Sequence, residues 1–208
     1  SIVSAVHHRH AVANPYAQFR SAVSPEAVSK SSPVADPLRL LDCSPISDGA
    51  AACILSTKKQ SGLLLRASQI ATDAVSLTER ESITSFSATK IAVSKALAEA
   101  NIELADVRVL ETHDCFSIAA LINLEDLGFA NPGEGIEIYR RLWEGKSSAV
   151  QVNASGGLKG CGHPVGATGI KQLIDAGKEL ERRKERFAIT HNFGGACASC
   201  GIHILERI

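Results

Sequence analysis

The sequence predicts an α/β fold in which a mixed β-sheet is covered by helices. Short runs rich in Val, Ile, Leu and Ala alternate with longer segments of helical spacing, and the last two strand-like runs follow each other with no helix between them. Apolar residues are 45% of the 208. That is enough for one sizeable core.

Residues 1–36 are rich in Ser, Pro and His, and NPYAQFR, SPEAVSK and SSPVADP mark turns and short helices, so a peripheral segment is expected there. His7, His8 and His10 in HHRH read as a solvated loop or cloning remnant rather than a metal grip. After a short apolar stretch at 38–42 and a turn of Ser44, Pro45, Asp48 and Gly49, the small apolar run 50–55 reads as a buried strand. A strand is expected over 63–72. Residues 86–100 read as a helix with Ile91, Ala92, Leu97 and Ala98 on or near one face. A strand follows at 107–112, helices at 115–127 and 135–143, and a strand at 149–153. A long helix is expected over 163–182, and strands at 187–191 and 201–205 close the order β-α-β-α-α-β-α-β-β. No internal repeat is evident.

Charge narrows the function. Twenty-two Lys and Arg balance 22 Asp and Glu, which removes the broad attraction that nucleic-acid binders and polybasic membrane binders rely on. No apolar run approaches the ~20 residues that span a bilayer, and SIVSAVHHRH lacks a signal-peptide layout. A soluble chain is expected. Cys43, Cys53, Cys115, Cys161, Cys197 and Cys200 are too few for a disulfide scaffold and read as reduced thiols of an intracellular protein. The chain has no Met. That points to a piece of a longer protein, or to modified methionines lost from the sequence.

Three stretches could carry chemistry. His113-Asp114-Cys115-Phe116 falls where a strand ends and a helix begins, a place where ligands gather and a thiol's pKa is lowered. The bland alternative makes Asp114 an N-cap, Cys115 a buried filler and His113 a loop residue. In NASGGLKGCGHPVGATG (153–169), glycines permit close backbone approach to a ligand, and His163-Pro164 opens the expected long helix. Tight turns and helix packing would explain Gly166 and Gly169 but not the glycines before them. In HNFGGACASCG (191–201), Cys197 and Cys200 form a CxxC pair. It precedes a strand and has no second pair at zinc-knuckle spacing, so a redox or metal role is disfavoured.

DCSPISDGAAACILS, HDCFSIAALINLEDLGFANPGEG, VNASGGLKGCGHPVGATG and the closing HNFGG…IHIL together resemble the C-terminal half of a thiolase. The HDCF signature is nearer the sterol-carrier-protein type and its archaeal or bacterial relatives than the degradative enzymes. The resemblance implies that 1–36 is the tail of a loop domain, 37–58 the last strand of the N-terminal domain, and 59–208 the C-terminal βαβαβαββ domain. It further implies that the nucleophilic Cys lies in a first half with no counterpart here.

By the same resemblance the chain takes part in thiolysis of 3-ketoacyl-CoA, or in Claisen condensation of acetyl-CoA. His163 would activate the nucleophile and donate to the thioester oxygen, while His113 would serve the same oxyanion site. The family's C-terminal Cys-x-Gly is replaced by Asn192-Phe193-Gly194, which leaves the second acid/base role to Cys115 and the second oxyanion hole to the Gly194 backbone. No cofactor is implied, coenzyme A being part of the substrate. The expected partners are acyl-CoA or coenzyme A, the N-terminal half, and further copies in a dimer or tetramer. The expected setting is the cytoplasm of a prokaryote, or the mitochondrion or peroxisome of a eukaryote. A thiolase-like subunit that binds acyl-CoA or lipid, or serves as a scaffold, without turnover is the alternative.

Overall fold

The computed structural model describes residues 1–58 and 62–208; the domain boundary expected between 58 and 59 adjoins residues 59–61, which lie outside the described residues. The chain opens with helices α1 (Ile2–Ala11) and α2 (Pro25–Lys30), then a small hairpin of β1 (Pro33–Ala35) and β2 (Leu38–Arg39). Ser24 caps α2 by accepting from the Ala27 amide at 3.2 Å, with Pro25 at the first helical position. The remaining elements are β3 (Leu63–Thr72), α3 (Ser87–Ala100), β4 (Val107–Thr112), α4 (Ser117–Asp126), α5 (Gly135–Trp143), β5 (Gln151–Val152), α6 (Gly157–Cys161), α7 (Thr168–Arg183), β6 (Phe187–Gly194) and β7 (Ser199–Arg207).

The main sheet runs β3-β7-β6-β4-β5. β4 lies parallel to β5 and β6, whereas β7 is antiparallel to both β6 and β3. The expected mixed α/β sheet is borne out. Alternation along the strands feeds two cores: Leu110, Phe187, Ile189, Ile202 and Ile204 face the layer containing α3, α4 and α5, while Val109, Ala188 and Leu205 meet Ala176 and Leu180 of α7. A fully buried aliphatic side chain contributes about 1.5–3 kcal/mol. The sheet is therefore held from both faces.

Three expectations are corrected. First, the leading segment is not peripheral at its start: Val3, Ser4, Ala5, Val6, His7, His8 and Ala11 of α1 are buried. Arg9 of α1 donates to the Trp143 carbonyl at 2.8 Å and lies over that indole, so this cation ties α1 to the end of α5. Second, residues 50–55 are not a buried strand: Ile54 is 93% and Leu55 72% exposed, and no strand among the described residues pairs with them. An apolar run needs a partner edge to become a strand. Third, the long helix begins at Thr168 rather than His163. The Thr168 hydroxyl and the Ala167 amide both bond to the Pro164 carbonyl, closing a turn before the helix can start.

Candidate active site

Two histidines meet at the carboxyl end of the parallel strands. His113 leaves β4 and His163 sits in the turn before α7, with ring centroids 4.8 Å apart and planes crossing at 88°. Phe193 of β6 stacks on the His113 ring at 4.3 Å, forming a floor for the pair. Burial, reinforced by neighbouring His163, pushes His113 down to about 4, and burial also lowers His163. Both are neutral near pH 7. The Thr168 hydroxyl donates to Pro164 and so accepts from His163 Nδ1–H at 2.8 Å. This leaves His163 Nε2 with its lone pair free, the state a general base requires.

Cys115 lies two residues beyond His113, partly buried against the same core as Cys197. The helix start was expected to lower its pKa. Burial, with Asp114 and Cys197 adding to it, instead pushes the thiol up to about 12, outweighing the bonds from the Phe116 and Cys115 amides. Cys115 therefore rests protonated. Its carbonyl accepts from the Ser44 amide at 2.8 Å, which fixes the junction against the 43–44 segment. Gly194 closes β6 directly after Phe193 and pairs with Ser199 at the β6–β7 turn. In that turn Ala196 (φ 53°) and Cys197 (φ 68°) both adopt the left-handed conformation. Arg80 holds the turn by donating to the Ala196 carbonyl at 2.5 Å. The CxxC pair is split: Cys197 lies in this turn, and Cys200 is buried in β7 beneath the Thr89 hydroxyl at 3.7 Å.

Asp114 is not the N-cap of α4, a place taken by Phe116 with no side-chain cap. It accepts from the Leu158 amide at 2.7 Å and the Lys159 amide at 3.2 Å, at the start of α6, and its Oδ2 lies 2.7 Å from His7 Nδ1. Its carboxyl lies below the ordinary value: burial opposes ionisation, and His7 with the two amides outweighs it.

The glycine density before His163 has its cause here. A Cβ on Gly157 (φ +60°) would stand 2.4 Å from Asp114 Oδ2, and one on Gly160 2.6 Å from the Ala11 Cβ. These glycines let protein segments close on each other.

Several structural partners escaped sequence reasoning. Buried His191 is held between the Thr112 hydroxyl at 2.9 Å and the Thr89 hydroxyl at 3.0 Å, and burial pushes it down to about 3. Asn153 pairs its side-chain amide with the Thr112 backbone at 2.7 and 3.1 Å, extending the β4–β5 pairing by one residue. Buried Glu111 accepts from Ser155 at 2.7 and 3.2 Å, yet burial and Asp175 push it up to about 8. Only the strand-end position of Glu111 and Thr112 hinted at such roles. Among the described residues, no three His, Cys, Asp or Glu side chains come together as a metal site, and no helix is long and apolar enough to cross a membrane.

Residues 70–207 match the family described as "Thiolase C-terminal domain-like". The chain belongs to the thiolase family. The acetyl-CoA acetyltransferase of Methanocaldococcus jannaschii is 44% identical over 226 aligned positions, covering 99% of this chain and 58% of the archaeal protein. Rat (Rattus norvegicus) sterol carrier protein 2 is 36% identical over 205 positions, covering 90% of this chain and 38% of its own length. This thiolase chain thus spans little more than half of its archaeal relative. The solved structure of an Ltp2-ChsH2(DUF35) aldolase superposes with a TM-score of 0.78 at 19% identity, over 99% of this chain and 57% of its own, and shows the common fold.

Proposed function

We propose that this chain is the C-terminal part of a thiolase that transfers acyl groups to or from coenzyme A, together with an N-terminal half that supplies the nucleophilic Cys. The meeting of His113 and His163 as neutral imidazoles above Phe193 carries the reading. In this account residues 1–36 end the loop domain, 37–58 complete the N-terminal domain, and 59–208 form the C-terminal domain. The exposed run 50–55 then adds to the partner half's sheet. The enzyme works as a dimer or tetramer, in the cytoplasm of a prokaryote or in a eukaryotic mitochondrion or peroxisome.

In thiolysis, His163 Nε2 takes the proton of the nucleophilic thiol, and the thiolate attacks the 3-keto carbon of the acyl-CoA. The carbon–carbon bond breaks, the shortened acyl group stays on sulfur, and the acetyl-CoA enolate takes a proton from Cys115. Coenzyme A thiol then returns that proton to Cys115, its thiolate takes the acyl group from the nucleophilic sulfur, and the departing enzyme thiolate recovers the proton held by His163. His113 and the Gly194 N–H are assigned to the two developing oxyanions. Burial keeps the Cys115 thiol protonated ahead of the proton-donating step.

A second reading, acyl-CoA or lipid binding without turnover, draws support from Asn192, which stands in the place of the family's cysteine and donates to Gln172 at 2.9 Å. Intact-mass analysis after incubation with acetyl-CoA separates the two. The polypeptide carrying both halves should gain a covalent acetyl group while this chain alone gains none, and binding without an adduct in either would establish the second reading.

A further inference from the structure

Behind the paired imidazoles lies a buried carboxylate shared by three stretches of chain. Asp114 is 1% exposed: α6 supplies the Leu158 and Lys159 amides as its donors, and α1 brings His7 Nδ1 to 2.7 Å from Oδ2. An ionised carboxylate in the interior persists only while its donors are in place. His7 is itself wholly buried, with its ring set edge-on to Tyr139 at 5.3 Å, so its Nδ1 has no freedom to swing away. The α6 turn that Asp114 anchors leads through Gly162 into His163, and the backbone of Asp114 continues from His113. One side chain thus fixes the separation of two imidazoles that come from different parts of the chain.

We infer that His7 is a positioning residue for the acid/base pair: it holds Asp114 in the orientation that keeps α6, and with it His163, against His113. The effect on rate rests on the thiolase reading, whereas the effect on geometry does not. Besides His7, the groups facing Asp114 are His163, His113, Cys115, Tyr139 and Lys159. Removing the His7 imidazole from beside Oδ2 leaves Asp114 with two amides for a buried negative charge. The carboxyl then takes up a proton more readily, and its hold on α6 and its support of a protonated His163 both weaken.

The test compares His7→Leu, which removes the donor, with His7→Asn, whose amide N–H stands at the distance of Nδ1. In the polypeptide carrying both halves, His7→Leu should lower kcat for thiolysis about 10- to 100-fold, with KM within about twofold, and His7→Asn should restore it. In the present chain, NMR titration should give His163 a midpoint at least ~0.5 pH lower in His7→Leu than in His7→Asn. Should His7→Leu fail to fold, His7→Phe, which keeps an aromatic ring without its nitrogens, takes its place as the donor-free variant. Equal kcat in wild type and His7→Leu, or an Asn variant as impaired as Leu, overturns the inference. If the wild type shows no thiolysis at all, the thiolase reading fails. The NMR comparison then still decides the positioning role: equal midpoints overturn it, and a lower one in His7→Leu sustains it.

Discussion

The His113 and His163 rings cross at 88° with centroids 4.8 Å apart, one at the end of β4 and the other in the turn closed by Pro164 and Thr168. Because Thr168 fixes the proton on His163 Nδ1, the state of Nε2 depends on one hydroxyl. Thr168→Val removes that hydroxyl while nearly keeping its shape. It should lower kcat about 10- to 100-fold through the wrong tautomer and a loosened turn, with KM little changed. Steady-state thiolysis by the polypeptide carrying both halves checks this, and unchanged kcat would show that the tautomer is set elsewhere.

Cys115→Ser should impair turnover severely, since a hydroxyl is a poorer proton relay to a thiol. Cys197→Ser should leave turnover within a few-fold of wild type. Cys200 is 1% exposed in β7, so Cys200→Ser is read by melting rather than by rate. An inactive Cys197→Ser beside an active Cys115→Ser would reverse the assignment.

The β6–β7 turn holds two non-glycine residues at positive φ. Left-handed backbone costs such residues roughly 1–2 kcal/mol each. Ala196→Gly and Cys197→Gly should each stabilise the fold, by about 0.5–1 kcal/mol once glycine's greater unfolded-state freedom is counted. Urea unfolding measures it, and a lowered midpoint would mean the turn is held by contacts that these side chains make.

Stability should follow pH with a maximum. His10 and His113 lie near 4 and His191 near 3, all depressed from 6.5, so the unfolded chain binds more protons below pH 6.5. Their contribution is fully present above 6.5 and is lost as pH falls through 4. Glu111, raised from 4.5 to about 8, acts in the opposite sense: its contribution is full below 4.5 and is lost as pH rises through 8. The free energy of unfolding should therefore climb from pH 4 to about 6.5 and decline toward 8. Glu111→Gln should abolish the decline, and a decline that survives it would place the titrating group elsewhere.

Much of this was legible because periodicity reports burial. β3, β4, α3 and α5 sit within a residue or so of where alternation and helical spacing put them, their faces being filled by the sheet's own two cores. The strand-to-helix junction that carries His113 and Cys115 was legible because β4 and α4 each show their own periodicity. α1 was not, because His7 is buried by a carboxylate over a hundred positions away. The glycines around 156–160 looked like a ligand cradle for the same reason: what approaches them is α1 and Asp114. The run 50–55 reads as a strand since its composition is that of one, but no edge among the described residues receives it.

Gly160 offers a direct check on that packing. Its Cβ would stand 2.6 Å from the Ala11 Cβ and 3.2 Å from the His7 carbonyl. Gly160→Ala should cost about 1–3 kcal/mol by overpacking. Ala11→Gly should recover part of the loss in the double variant, because the two sites touch. Strict additivity of the two changes would show that α1 does not rest on α6.

The most direct measurement is steady-state thiolysis of a short 3-ketoacyl-CoA by the polypeptide carrying both halves, wild type against His163→Ala. The wild type should turn over, and the variant should lose about 10²–10⁴ in kcat with an unchanged melting temperature. A His163→Ala enzyme that turns over at the wild-type rate would contradict the role of His163 as general base.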